Sequence, residues 1–174
     1  GTLSTAAQLY VLTVLATGTA AALAWFPTGV PQPWLFVLLL IASCLTSLWK
    51  VNLPIPLASG STLSVSYAAN LMALLLLGPQ QALVIALAGV WTQCTVNVRR
   101  PYPWYRTAFS IAAEALTMAA TGLVYLELGG LPRPVEFAPL AGPLIAAIST
   151  YFFINTGLIA VAIALTSDRS VREV

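Results

Sequence analysis

The stretch "RTAFSIAAEALTMAATGLVYLELGG", residues 106–130, decides what kind of molecule this is. It is long and apolar enough to be soluble in hydrocarbon as a helix, yet it carries a carboxylate, Glu114, near its centre. Ionisable groups at that depth face a bundle interior or a wet cavity, and are functional candidates by default. Counting from Trp104 at ~1.5 Å per residue, Glu114 lies about 15 Å into the helix, close to mid-bilayer. Ser110, Thr117 and Thr121 stand four before, three after and seven after it, so they share its face. The expectation is one buried polar stripe on an otherwise apolar helix.

The rest of the chain agrees. Its 174 residues are 59% hydrophobic and 7% charged, with a mean hydropathy of +0.91. Soluble domains carry about 25% charged residues, so a surface this poor in charge belongs in lipid. A net charge of +2 gives no footprint for nucleic acid. Histidine is absent, and Cys44 and Cys94 form no CxxC or Cys/His spacing. No zinc site, Ser-His-Asp triad or other cofactor site is expected, and the cysteines read as small packing residues. One intramembrane acid is too few for metal-assisted phosphotransfer, so this segment is not expected to be an enzyme.

Six apolar stretches of near-spanning length follow: 6–26, 34–49, 62–78, 80–98, 104–127 and 139–166. Proline and glycine clusters break them at 27–33, 52–61, 78–79, 99–103 and 129–139. Gly78-Pro79 predicts a very tight hairpin. The second and third stretches are short, which implies tilt or local thinning. Lys50, Arg99, Arg100, Arg106, Arg169 and Arg172 fall on alternate connections, leaving only Arg133 on the other side. Cytoplasmic loops are enriched in Lys and Arg, so both ends are expected in the cytoplasm and the chain in the inner (cytoplasmic) membrane as a multi-pass protein. The fold class expected is all-α: a bundle of six transmembrane helices over 1–166, then the start of a cytoplasmic linker at 167–174. The first stretch has no basic n-region and reads as a retained helix.

Aromatic residues cluster at the expected boundaries: Trp25, Phe26, Trp34, Trp49, Tyr102, Trp104, Tyr105 and Tyr125. Trp91, inside the fourth stretch, is a candidate to line a cavity. The third stretch sets Ser66, Tyr67 and Asn70 at helical spacing, and the sixth sets Tyr151 and Asn155 four apart. Gln93 and Asn97 lie nearer the cytoplasmic end of the fourth. Amides in lipid must find partners, since no water compensates them. Asn70, Glu114 and Asn155 are thus expected in one layer, and Tyr67, Asn70, Glu114, Thr117, Tyr151 and Asn155 are the candidate ligand-binding residues. Three readings stay open for Glu114: a bond to Asn70 or Asn155 that merely joins helices, the wall of a pocket, or proton coupling. Arg106 lies about 12 Å away along the axis, too far for a direct pair.

Ala16, Ala20 and Ala24 recur at four-residue spacing, with Gly18 and Ala22 alongside. Such spacing lets helices approach closely, within the bundle or against another subunit, including a second copy of the chain. Pro54 and Pro56 predict an extended segment over 53–57, and Gly60, Ser61 and Thr62 predict the N-cap of the third helix.

Three stretches carry a resemblance: "GSTLSVSYAANLMALLLLGPQQALVIALAG" (60–89), "RRPYPWYRTAFSIAAEAL" (99–116) and "YFFINTGLIAVAIAL" (151–165). Over roughly 55–174 the chain resembles the MASE-like membrane sensor modules that precede GGDEF, HD-GYP or histidine-kinase domains in bacterial signalling proteins. Gly78-Pro79 matches the turn of that pattern, and Asn155-Thr156 its late Asn-Thr. Phe109-Ser110-Ile111-Ala112-Ala113 stands where the pattern has a Phe-Asn-Ala-Ala-like start. The resemblance implies a small-molecule ligand and a cytoplasmic output domain beyond Val174, with cyclic-dinucleotide or kinase chemistry there. More loosely, the chain looks like the vitamin-binding S components of energy-coupling factor transporters, in which Ala16, Ala20 and Ala24 would be the positions docking a coupling subunit. Both imply a compact bundle that holds a small ligand, with membrane lipids as the other expected partners.

Overall fold

The computed structural model describes residues 4–48, 50–52, 62–64, 66–96, 104–132 and 138–167. Outside them lie the predicted extended stretch at 53–57, Gly60 and Ser61, Trp49, Asn97, Arg99, Arg100, Tyr102, Arg133, and 168–174 with Arg169 and Arg172. Six α-helices form among the described residues: α1 (Thr5–Ala24), α2 (Pro33–Leu48), α3 (Ser66–Leu77), α4 (Pro79–Thr95), α5 (Trp104–Glu127) and α6 (Ala141–Ser167). A short 3-10 turn, Ala138–Leu140, leads into α6.

Most bounds match the breaks read from sequence, and the reasons are local. Ser4 accepts from the Ala7 amide and caps α1. Gly78 alone joins α3 to α4 at φ +94, a conformation glycine enters at little cost, and Pro79 then opens α4. At the other end of α5, Gly129 donates to the Leu126 carbonyl and Gly130 to that of Tyr125, a Schellman termination. The α4 helix stops at Thr95, three residues earlier than expected, with Val96 extended.

The third element differs from its reading. Lys50–Asn52 (β1) and Thr62–Ser64 (β2) pair antiparallel, Lys50 opposite Ser64 and Asn52 opposite Thr62. Thr62 is therefore in a strand and does not cap α3, which starts at Ser66. Its 12 residues reach about 18 Å, well under the ~30 Å hydrocarbon thickness. Three helices are long and apolar enough to cross a membrane on their own: Thr5–Ala24, Trp104–Glu127 and, with the 3-10 turn, Ala138–Thr166.

The helices group in threes. α5 packs against α1, α4 and α6, whereas α4 also packs against α2 and α3, which touch each other. The seam between α4 and α5 thus joins one trio, α1–α5–α6, to the other, α2–α3–α4. Leu74, Leu83, Ile85, Ala86, Ala115 and Met118 fill that seam and are fully or almost fully buried. Val14, Ala112 and Ala113 form a smaller core under α1, with Tyr10 and Phe109 against it.

The α1 surface corrects one expectation. Ala16, Ala20 and Ala24 face outward, so they do not seat α1 in its own bundle. Gly18 does that: a Cβ there would run into the carbonyl oxygen, Cα and Cβ of Ala112. Tyr125 is also corrected from boundary anchor to core residue, its hydroxyl donating to the Leu131 carbonyl at 2.9 Å. Trp91 is exposed on the outside of α4 and lines no interior.

Candidate functional site

α5 buries more polar side chains than any other helix: Glu114, Thr117 and Thr121 are all inside. Their spacing puts them on the face that meets the bundle centre, as the helical period requires. Glu114 is only 4% exposed. Its Oε1 accepts from the Tyr151 hydroxyl at 2.8 Å and from Asn70 Nδ2 at 3.2 Å. Tyr151 comes from α6 and Asn70 from the second turn of α3.

The chain of bonds continues beyond Asn70. Ser43 on α2 directs its hydroxyl to Asn70 Oδ1 at 3.1 Å, and the same oxygen lies 3.3 Å from the Ile85 carbonyl of α4. Ser47, one turn on, donates to the Ser43 carbonyl at 2.6 Å. Gly89 on α4 makes room for this pair, since a Cβ there would sit 2.6 Å from Ser43 Oγ and 2.9 Å from Ser47 Oγ. One connected set of buried bonds thus links α2, α3, α4, α5 and α6.

Donor and acceptor roles fix the direction of this set. Asn70 turns its amide nitrogen to Glu114 and its carbonyl oxygen to the Ser43 hydroxyl, whose one proton is shared between that oxygen and the Ile85 carbonyl. Both donors at Glu114 converge on one oxygen, an arrangement that suits a carboxylate and equally the C=O of a carboxylic acid. Around it, α4 carries no charged residue between Pro79 and Thr95, and α2 none between Pro33 and Leu48. Arg106 is exposed two helical turns away. The group is held by neutral donors.

The other candidates are placed as follows. Thr117 is fully buried beside Glu114 but bonds its own helix, donating to the Ala113 carbonyl at 2.8 Å. Asn155 is half-buried and makes no hydrogen bond among the described residues, so the layer is closed by Tyr151 in its place. Both lie on one face of α6, but the tyrosine is longer and reaches the carboxyl. Tyr67 is 41% exposed and makes no contact with the carboxyl, although its three-residue spacing from Asn70 puts it on the flank of the same face. Ser43, absent from the candidates, is the residue sequence reasoning missed. Its signal was the Ser43/Ser47 pair four apart in an apolar helix.

Tyr10 ties the outer helices together, its hydroxyl donating to the Leu158 carbonyl of α6 at 2.8 Å and its ring standing 6.0 Å from that of Phe109. At the far end of the bundle, Gln81 donates to the Gly29 carbonyl at 3.1 Å. No protein-family model, curated protein or solved structure matches the chain.

Proposed function

We propose that this chain is a six-span module of the cytoplasmic membrane that senses a small ligand or a membrane property and passes a change of packing along α6 to a cytoplasmic output segment. The observation that carries this reading is the single buried polar anchor of α6. Pro143, Ala147, Tyr151 and Ala164 are its buried side chains, while Phe152, Phe153 and Ile159 face outward. Of these only Tyr151 engages the buried polar set, through Glu114. A long helix held to its neighbours by two side-chain hydrogen bonds, Tyr151 to Glu114 and Tyr10 to the Leu158 carbonyl, can have two positions that differ by little free energy. A ligand with unequal affinity for the two would shift the balance, whereas equal affinity would shift nothing.

Six spans are compatible with a 12-residue α3 if the bilayer thins locally around it. The basic residues on alternate connections support cytoplasmic ends, and the likeness to MASE-like sensor modules supports the signalling role.

The test is a distance measurement across the layer. Spin labels on exposed positions of α3 and α6, Met72 and Ile159, in lipid nanodiscs should give two distance populations for the intact chain. Y151F should enrich one of them. A single population unchanged by Y151F would leave a rigid anchor instead.

A second reading is favoured by one observation, the outward stripe of Ala16, Ala20 and Ala24. It fits a transporter subunit of the S-component kind, whose first helix docks a coupling subunit. An A20L variant that stays folded but no longer co-purifies with such a subunit would favour that reading over the first.

A further inference from the structure

The polar layer is filled. Asn70 and Glu114 are buried, Thr117 fully so, and Tyr151 closes the side facing α6. Glu114 Oε1 and both polar atoms of the Asn70 side chain are engaged by neighbouring helices, so an organic ligand would have to break the bonds that define the site. One ligand needs no cavity. We propose that Glu114 is a proton-binding site, and that the signal read by α6 is the gain or loss of one proton on its carboxyl group. This deepens the sensor reading and rests on it.

The geometry supports both forms of the acid. As a carboxylate, Glu114 has two donors on Oε1, from Tyr151 and Asn70, and among the described residues no charged group bonds it to hold it permanently ionised. As a carboxylic acid, it takes a proton from bulk water on Oε2, one O–H bond forms, and Oε1 remains an acceptor for the same two donors. Release returns that proton to water, and no further reactant is involved. Both states keep the layer connected, which is what a reversible site inside a bundle requires.

The two forms differ in how firmly they hold α6. A hydrogen bond to an ionised acceptor is roughly twice as strong as one between neutral groups. Deprotonation therefore tightens the Tyr151 latch, and protonation loosens it. Asn70 feels the same change and transmits it through Ser43 to α2 and Ile85 of α4. The surrounding titratable groups do not compete. Tyr151 is the one that α6 presents; α3 presents an amide. Tyr10 of α1 is committed to Leu158, and Tyr67 is exposed. Cys44 of α2 and Cys94 of α4 are half-buried.

The experiment pairs two readouts on the full chain in nanodiscs of neutral lipid, titrated from about pH 5 to about pH 9. Infrared difference spectroscopy follows the C=O stretch of a protonated carboxyl, and the α3–α6 spin labels follow the latch. In the wild-type chain, a carboxyl band should vanish as pH rises, in step with a roughly tenfold change in the ratio of the two distance populations. E114Q should remove that band and hold α6 in its low-pH distribution at every pH. Y151F should keep the titrating band and lose the pH response of α6, which separates proton binding from transmission. The proposal is overturned if no band in this range depends on Glu114, or if α6 still responds to pH in E114Q. Two α6 populations indifferent to pH would remove the proton as ligand and leave the sensor reading standing; one α6 position under all conditions would remove both.

Discussion

Thr121 shows how much a single hydroxyl can reveal about this bundle. In an apolar helix a threonine usually satisfies its hydroxyl on the carbonyl four residues back, and Thr13, Thr17, Thr46, Thr92, Thr95, Thr117 and Thr166 all do so. Thr121 does not, although it is fully buried, and its oxygen has no partner among the described residues. An unsatisfied buried polar group costs about 1–3 kcal/mol. T121V, which keeps the shape and removes the hydroxyl, should therefore raise the melting temperature, whereas T117V should leave it nearly unchanged because the Ala113 carbonyl keeps its backbone partner. A lower melting temperature for T121V would show that the hydroxyl is bonded in the membrane after all. Glu114 gives the opposite sign. E114L strands the Tyr151 hydroxyl and the Asn70 amide together, so it should destabilise by roughly 2–5 kcal/mol, and E114Q by much less. The polar face of α5 was legible in the sequence because three- and four-residue steps fix it. The choice between Tyr151 and Asn155 was not, since both satisfy the same period and only side-chain reach separates them.

Among the elements, those bounded by proline and glycine could be read directly. α5 spans Trp104–Glu127 as expected, and the Gly78-Pro79 hairpin is as tight as its two residues imply. The start of α3 was misread because "GSTL" offers a capping hydroxyl wherever the helix is imagined to begin. The competing signal was the alternation Thr62, Leu63, Ser64, Val65, Ser66, a period of two that marks a strand. Backbone pairing to Lys50–Asn52 won over capping because the ribbon satisfies amides and carbonyls that a capped helix start would leave to water. The small residues of α1 were likewise visible as a pattern, but not which of them faced inward. This yields a paired prediction. G18A forces a methyl group onto the backbone of Ala112, which cannot yield as a side chain would, so α1 should separate from α5 and the melting temperature should fall. A20L, on the outward face, should leave it unchanged in detergent.

At the scale of the whole molecule, the contacts sort the connections by end. Gln81 reaches Gly29, Gly122 lies under Pro79 and Trp25, and Pro132 flanks Gly78. The turns after α1, α3 and α5 therefore share one end of the bundle, opposite to Lys50 and Arg106. Alternate connections on one end are what an up-and-down bundle produces, and the basic residues of the sequence fall mostly on the other connections. What it could not carry was depth, because a 12-residue helix and a strand look like one apolar run when only hydropathy is summed. Cysteine accessibility decides whether the α3–α4 turn crosses. In a background with Cys44 and Cys94 replaced by alanine, G29C, Q80C and L128C should react with an impermeant maleimide from one face of sealed vesicles, and V96C from the other. All four positions are exposed on the surface of the bundle, so failure to label would not reflect burial within it. If Q80C alone is protected from both faces, the turn stops inside the bilayer, α3 and α4 form a re-entrant hairpin, and the count falls to four spans with both chain ends still on the basic side. Labelling of Q80C from the V96C face would be the more damaging result, because it would invert α4 relative to the Gln81–Gly29 bond and undo the shared end on which the six-span reading stands.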